Sequence, residues 1–277
     1  MTLSALLAHT DPEGRVPPHV LHHVRRLRAA GADVVVVSRG PAPPEVTRSL
    51  QGVARWEQVG PGCEDLALLG HVLPAVDDGG DVIVATDRVV GPFGRVELAL
   101  PACSPRHVVR VPALWVGGPA PAAVPSVLRA PAGALADPVV SALLWPEAPA
   151  PAPTWSDLVG VLEAGGLALR PVYRPISADV ARARTRLAQR AARHSLGSPA
   201  GFRRAVRDVR SADLDPIALA GDAVLAGRPG YLDLETLRRT GRGGRPDLLA
   251  ALERRHPEAV AGVRDVLART PAAAVTT

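Results

Sequence analysis

Residues 32–38 have the sequence ADVVVVS, in which four consecutive valines precede a polar residue. Valine is stiff at χ1 and disfavoured in helices, whereas an unbroken apolar run is typical of a strand that is buried on both faces. Such strands occupy the centre of parallel sheets that are covered by helices on both sides. This stretch therefore predicts a central strand of an α/β domain.

The segments on either side of this strand alternate between strand and helix patterns. Residues 3–8 form a short apolar run, and residues 17–31 combine a proline pair at a helix start, apolar residues at helical spacing and a final glycine. Further along the chain, strand patterns at 54–59 and 81–85 enclose a helix pattern at 64–76. Because strands that alternate with helices form crossover units, we predict an α/β fold with a mainly parallel sheet flanked by helices.

The second half of the chain has a different composition. Residues 117–153 are rich in proline, alanine and glycine, which predicts loops and one short helix near 139–144. Beyond residue 177 the pattern is helical, and the formal charge changes from −2 over residues 1–174 to +7 over the remainder. We therefore expect an α/β domain at 1–175 and an all-helical, arginine-rich region at 176–277.

The composition excludes several classes of chemistry. All 32 basic residues are arginine, so no mechanism can use a lysine Schiff base. Two cysteines are too few for a disulfide scaffold or a cysteine-rich zinc site. No basic segment precedes a long apolar run, and no apolar run reaches the roughly 18 residues of a membrane span. We expect a cytoplasmic protein.

Polar residues follow the ends of three predicted strands. They are Asp11, Ser38 with Arg39, and Asp87. Ligands of open α/β sheets bind beyond the carboxyl ends of the strands. These residues therefore mark the expected ligand site.

Three segments resemble the rhamnan synthesis F family of glycosyltransferase-like proteins. They are AHTDPEGRVPPHVLHHVRRLRAAGADVVVVS at 8–38, VGPGCEDLALLGHVL at 59–73 and DVIVATDRVVGPFGRVE at 81–97. In the same order the family has a His-x-Asp-Pro-x-Gly loop, an Asn-x-Gly-Tyr-Asp-Phe-Gly type motif, and an Asn-Asp-Ser then Val-x-Gly-Pro motif. A fainter match covers residues 153–174.

The resemblance implies a nucleotide-diphosphosugar transferase-like fold and an enzyme that transfers a rhamnose-like sugar. The donor would be a nucleotide-sugar and the acceptor a cell-surface polysaccharide or lipid-linked glycan. Asp11, Asp65 and Asp87 stand at the positions that would bind the nucleotide-sugar. The resemblance also implies a divalent metal, Mg²⁺ or Mn²⁺, on Asp87, to neutralise the pyrophosphate leaving group.

The chain departs from the family pattern at several of these positions. Thr86, Asp87 and Arg88 replace Asn-Asp-Ser, and the arginine either supplies the counter-charge for a pyrophosphate or indicates that no metal binds. The acceptor-side motif is not recognisable, which leaves Asp137, before Pro138, as the candidate catalytic base. A catalytically inactive α/β adaptor in a glycan-assembly complex is therefore the alternative function.

Two further features have competing interpretations. His19 and His23 share a helix face at the spacing of zinc-binding pairs, but no glutamate lies between them, and a solvated face is the favoured interpretation. The segment Arg182–Arg210 holds nine arginines and one acid. It is a solvated face, a contact surface for an anionic membrane that would make the protein membrane-peripheral, or a nucleic-acid-binding surface. With one aromatic residue, Phe202, it lacks a stacking platform, which disfavours a nucleic-acid-binding regulator.

Overall fold

The computed structural model describes the sheet, most of its connections and parts of the C-terminal region. The described residues are 2–60, 65–76, 79–104, 107–111, 127–144, 153–171, 181, 184–185, 224–225, 227, 230–234, 237 and 247–269.

Two sheets contain the strands of the described residues. The strands are β1 (Leu3–His9), β2 (Asp33–Ser38), β3 (Arg55–Gln58), β4 (Asp81–Thr86), β5 (Val89–Phe93), β6 (His107–Val111), β7 (Val127–Pro131), β8 (Ala168–Pro171) and β9 (Gly230–Asp233). The larger sheet has the order β3–β2–β1–β4–β7–β6–β8, and β5 pairs with β9 in a second, two-stranded sheet.

The larger sheet is mainly parallel. Strands β1 to β4 run in one direction, β7 is antiparallel to both of its neighbours, and β6 and β8 are parallel to each other. The valine run of β2 lies beside β1 and is fully buried, as a central strand requires. The predicted α/β fold with a mainly parallel sheet flanked by helices is confirmed.

Helices cover both faces of this sheet. The helices of the two cores beside it are α1 (Pro18–Ala29), α2 (Pro44–Leu50), α3 (Asp65–Gly70), α4 (Val96–Ala99), α5 (Ala132–Leu135), α6 (Pro138–Leu144) and α7 (Trp155–Ala164). Two further helices, α8 (Asp247–Arg255) and α9 (Val263–Arg269), pack elsewhere. Alternate residues of β1 face opposite sides: Leu7 packs in a core with α1 and α2, and Leu6 in a core with α3, α6 and α7. The sheet therefore separates two hydrophobic cores.

The sequence pattern predicts an all-helical C-terminal region, and this prediction is wrong: the region contains a strand, β9. Strand β9 pairs antiparallel with β5, which lies far earlier in the chain. A third core joins Val90 and Phe93 of β5 to Leu248 and Leu252 of α8. A four-residue strand has too little periodicity to be recognised locally, and it forms here because β5 supplies its partner. The domain boundary at 175 and 176 stays a prediction.

Strand β7 was also missed, since residues 117–153 were predicted as loops and one helix. It lies between β4 and β6 and is held at the amino edge of the sheet by a buried ion pair. Arg129 Nε and Nη2 lie 2.8 and 2.7 Å from Asp81 Oδ2. The helix expected near 139–144 is α6.

Among the described residues, no helix combines the length and apolarity needed to cross a bilayer.

Candidate functional site

The carboxyl ends of β2, β1 and β4 lie side by side at one edge of the sheet. His9 at the end of β1 is in register with Ser38, and Ala8 with Thr86. The connections that follow these three strands leave this edge: a first loop (residues 10–17), a second loop (residues 39–43) and the β4–β5 turn at 87–88. The edge is where a ligand of a parallel α/β sheet binds.

Asp87 connects the β4–β5 turn to the first loop. Its Oδ2 accepts a 2.7 Å hydrogen bond from the Thr10 backbone N–H, and the Thr10 hydroxyl lies 3.1 and 3.2 Å from the two carboxylate oxygens. The Asp87 N–H donates to the Ala8 carbonyl at 2.9 Å. The carbonyl of Asp87 faces His19 Nε2 at 3.3 Å, so this nitrogen carries the proton. Asp87 therefore organises the edge as well as lying on it.

Asp11 lies at the same edge but is engaged within its own loop. Its Oδ1 accepts from the Glu13 N–H at 2.8 Å, and Arg15 Nε donates to Oδ2 at 3.2 Å. Arg15 Nη1 lies 3.1 Å from a Glu13 carboxylate oxygen. Asp65 is the first residue of α3, and its side chain lies outside the described residues. The structure thus brings Asp11 and Asp87 to one edge.

A buried polar network lies directly below the first and second loops. His9 is 0% exposed; its Nδ1 lies 3.0 Å from Ser38 Oγ and its Nε2 3.1 Å from the Arg15 carbonyl. The Gly40 N–H donates to Ser38 Oγ at 3.2 Å, and the Trp56 indole N–H donates to the Gly40 carbonyl at 3.3 Å. The His9 and Trp56 rings lie 5.4 Å apart. Sequence reasoning gave His9 no role, although it opens the His-x-Asp-Pro-x-Gly motif.

The two loops also interlock through two glycines. A Cβ atom on Gly14, whose φ is +68°, would lie 1.9 Å from the Pro41 carbonyl oxygen. A Cβ on Gly40 would lie 2.3 Å from the Pro12 carbonyl oxygen. Contacts below 3.0 Å exclude a side chain at either position, so the backbones of the two loops pack directly against each other.

Arginine follows the carboxyl end of each of the three strands. Arg39 directly follows β2, Arg15 lies in the first loop after β1, and the exposed Arg88 follows Asp87. The backbone of Arg88 is held on both sides, since its carbonyl accepts from the Leu234 N–H at 2.9 Å and its N–H donates to Thr86 Oγ1 at 3.4 Å. Guanidinium groups match the geometry of phosphate oxygens, and at this edge the Arg15 guanidinium is already paired with Asp11 and Glu13.

The prediction that His19 and His23 lie on a solvated face of α1 is wrong. His19 and His23 are 0% exposed, and the His23 ring lies 5.2 Å from the Tyr231 ring of β9. Burial, with the nearby His19 and His22, lowers the pKa of His23 to about 3, and burial raises the pKa of Tyr231. His22 Nδ1 lies 3.6 Å from Glu258, and burial lowers its pKa. This face packs against the C-terminal region.

Asp137 begins a helix rather than facing the edge described above. Its Oδ1 accepts from the Val139 N–H at 2.8 Å, which is the bond of a helix cap. Because β7 is antiparallel to β4, its last residue, Pro131, lies beside Asp81 at the amino edge. The chain therefore reaches Asp137 from the amino edge, which is opposite to the edge that carries Asp11 and Asp87.

The comparisons with known proteins find likenesses among solved structures alone. No protein-family model and no curated protein matches the chain. Among solved structures, the chain is similar to the crystal structure of 4-diphosphocytidyl-2C-methyl-D-erythritol synthase, at 15% identity and a TM-score of 0.41, over 61% of this chain and 88% of that chain. At these values the likeness carries no inference about activity.

Proposed function

We propose that the chain is a glycosyltransferase-like protein that binds a nucleotide-sugar at the carboxyl edge of its sheet. The transferred sugar is rhamnose-like, and the acceptor is a cell-surface polysaccharide or a lipid-linked glycan. The observation that supports this proposal most is the convergence of three strand ends that carry Asp87 and the arginines 15, 39 and 88. The mainly parallel α/β fold and the order of the three motifs that resemble the rhamnan synthesis F family also support the proposal.

The charges at this edge suit the leaving group of sugar transfer. A nucleotide-sugar releases a nucleoside diphosphate, whose pyrophosphate accumulates negative charge as the glycosidic bond breaks. Arginine forks stabilise such charge when they are held in place beforehand. Arg15 is held by Asp11 and Glu13, and the Arg88 backbone is held by Leu234 and Thr86. Arg15 and Arg88 would bind and orient the diphosphate.

Asp87 is the residue at this edge that we propose as a ligand of a divalent metal. Among the described residues, no group of three His, Cys, Asp or Glu side chains could hold a metal by itself. Mg²⁺ needs only one or two carboxylates when phosphate oxygens and water complete its shell, so Asp87 fits as its single protein ligand. Its Oδ1, which accepts only the 3.2 Å contact from Thr10, retains the capacity for this bond. The metal would neutralise pyrophosphate charge.

A second candidate function is an adaptor without transferase activity. The observation that favours it is the use of the Asp87 carboxylate by Thr10, through both its N–H and its hydroxyl. In this case Asp87 is primarily a structural connection, and the edge binds a ligand or a partner without metal-assisted transfer.

A thermal-shift screen with nucleotide-sugars tests the proposal. UDP-, GDP- and dTDP-linked hexoses and deoxyhexoses are added with Mg²⁺, with Mn²⁺ and without metal. A ligand at about 100 times its dissociation constant stabilises the fold by roughly 2.7 kcal/mol. If a nucleotide-sugar stabilises the protein equally with Mg²⁺, with Mn²⁺ and without metal, the arginines rather than a metal on Asp87 neutralise the pyrophosphate. No stabilisation by any donor contradicts nucleotide-sugar binding.

Two matched arginines control for general electrostatic effects. Arg15 and Arg55 each form an ion pair with an aspartate, at 3.2 and 3.3 Å, and their side chains are 55% and 61% exposed. Arg15 lies at the carboxyl edge, whereas Arg55 pairs with Asp33 at the start of β2. We expect Arg15→Ala to remove the ligand-induced shift and Arg55→Ala to preserve it.

The acceptor side is proposed from the sequence alone. Arg182–Arg210 lies outside the described residues except for Arg184 and Thr185, which are both exposed. We propose that this segment contacts an anionic membrane on which the lipid-linked acceptor is presented. Sedimentation with phosphatidylglycerol vesicles, compared with phosphatidylcholine vesicles at low and high salt, tests it. Equal partitioning to both contradicts the contact.

A further inference from the structure

The hydrogen bonds of His9 define which nitrogen of its neutral ring carries the proton. The Arg15 carbonyl can only accept, so Nε2 of the neutral ring must carry the proton and donate to it at 3.1 Å. Nδ1 is then the acceptor, and the Ser38 hydroxyl donates to it at 3.0 Å. Ser38 Oγ in turn accepts from the Gly40 N–H at 3.2 Å. One directed chain therefore runs from Gly40 through Ser38 and His9 to Arg15.

This chain of hydrogen bonds joins the two loops that carry arginines. Gly40 belongs to the second loop, next to Arg39, and Arg15 belongs to the first loop. The His9 ring is 0% exposed, and Trp56 packs beside it while donating to the Gly40 carbonyl at 3.3 Å. The direct backbone contacts at Gly14 and Gly40 bring the loops together above the same ring. His9 thus bonds to both Arg15 and Ser38.

We propose that His9 is a positioning residue that holds the first and second loops as a single preformed wall for the diphosphate of the ligand. This inference rests on the proposed function for the identity of the ligand. It assigns His9 no contact with the ligand. Its two ring nitrogens set the position of the Arg15 backbone relative to the second loop. The guanidinium groups of Arg15 and Arg39 are thereby presented together to the diphosphate. A site held in place before binding loses less free energy on ordering when it binds.

Two substitutions separate the two bonds of His9. Asparagine places its amide near the position of Nδ1 and can retain the bond to Ser38, whereas glutamine reaches the position of Nε2 and can retain the bond to Arg15. His9→Phe fills the volume and removes both bonds. Trp56→Phe serves as a control that retains an aromatic ring beside His9 and removes the donor to Gly40.

Amide hydrogen exchange of the full chain tests the bracing without any ligand. We expect His9→Phe to accelerate exchange at Gly14 and at Gly40, while the amides of the β2 core, such as Val36, remain protected. His9→Asn should accelerate Gly14 alone and His9→Gln should accelerate Gly40 alone. Unchanged exchange at both glycines in His9→Phe, or identical patterns in the Asn and Gln variants, would overturn the positioning role.

Binding of inorganic pyrophosphate and of UDP, measured by calorimetry, tests the consequence for the site. His9→Asn should weaken both by about tenfold, the factor that corresponds to the loss of one well-formed hydrogen bond. His9→Gln, which retains the bond to Arg15, should remain closer to the original affinity. Equal affinities in the Asn and Gln variants would overturn the role of Arg15 positioning. If the unmodified protein binds neither probe, the proposed function fails at this edge, while the exchange pattern still decides whether His9 braces the loops.

Discussion

The carboxylate of Asp87 accepts hydrogen bonds from both the backbone N–H and the hydroxyl of Thr10, 77 residues earlier in the chain. Strands β1 and β4 are neighbours in the sheet, so the residues that follow them meet at its carboxyl edge. The bonds anchor the start of the first loop to the β4–β5 turn. Asp87 therefore has a structural contribution that its position in a sequence motif does not reveal.

Asp87→Ala is expected to lower the free energy of unfolding by about 2 kcal/mol. It removes a charged acceptor and leaves the half-buried Thr10 N–H without its partner. Asp87→Asn retains a carbonyl acceptor and should cost less, while abolishing any metal-dependent ligand binding. Urea denaturation measures the first effect and the thermal-shift screen the second. A fully stable Ala variant would show that the Thr10 contact is dispensable.

The buried ion pair at the amino edge should be costly to break from one side. Arg129→Met leaves Asp81, 5% exposed in its side chain, with the Cys103 N–H as its remaining partner among those described, and should cost about 3–5 kcal/mol. Removing both charges in Asp81→Asn with Arg129→Met should recover part of that loss. A double-mutant cycle measured in urea would contradict this interpretation if the two effects were additive.

His23 should make the protein less stable as the pH falls. The unfolded chain takes up a proton below about pH 6.5, whereas burial keeps the folded His23 neutral until the pH approaches its pKa of about 3. The unfolded state therefore binds more protons in this window, and the unfolding free energy should fall by about 1.4 kcal/mol per pH unit. His23→Leu should flatten this dependence relative to its own stability at pH 8. An unchanged slope in that variant would assign the effect to other groups.

Two glycines with positive φ allow the loop contact to be tested by substitution. Gly14 and Gly31 have φ of +68° and +86°, but a Cβ on Gly31 would meet nothing within 4 Å. Gly31→Ala should therefore cost only the backbone strain, about 1–2 kcal/mol. Gly14→Ala should cost more and also weaken pyrophosphate binding, because the first loop must move away from Pro41. Thermal unfolding and calorimetry of both variants, side by side, measure the difference; equal costs would mean that the loops separate freely.

Part of the candidate site was predictable from strand ends. Asp11, Arg39 and Asp87 follow buried apolar runs, and parallel strands place their carboxyl ends together, so a shared edge follows from the pattern. The partners of these residues did not follow, because hydrogen bonds such as Thr10 to Asp87 join segments far apart in the chain. His9 gave no local signal of its role, since its function depends on Ser38 and Trp56 reaching it from neighbouring strands.

The sequence by itself determined the alternation of strands and helices through Thr86, because valine runs, proline starts and glycine stops act within a few residues. Only the tertiary structure decided three further features. Strand β7 enters the sheet antiparallel beside β4, β9 pairs with β5, and His19 and His23 are buried against the C-terminal region. Each depends on a partner segment that is distant in sequence. Whether a short segment becomes a strand, or a polar helix face is buried, is decided by the surface available to cover it, and local periodicity carries no information about that surface.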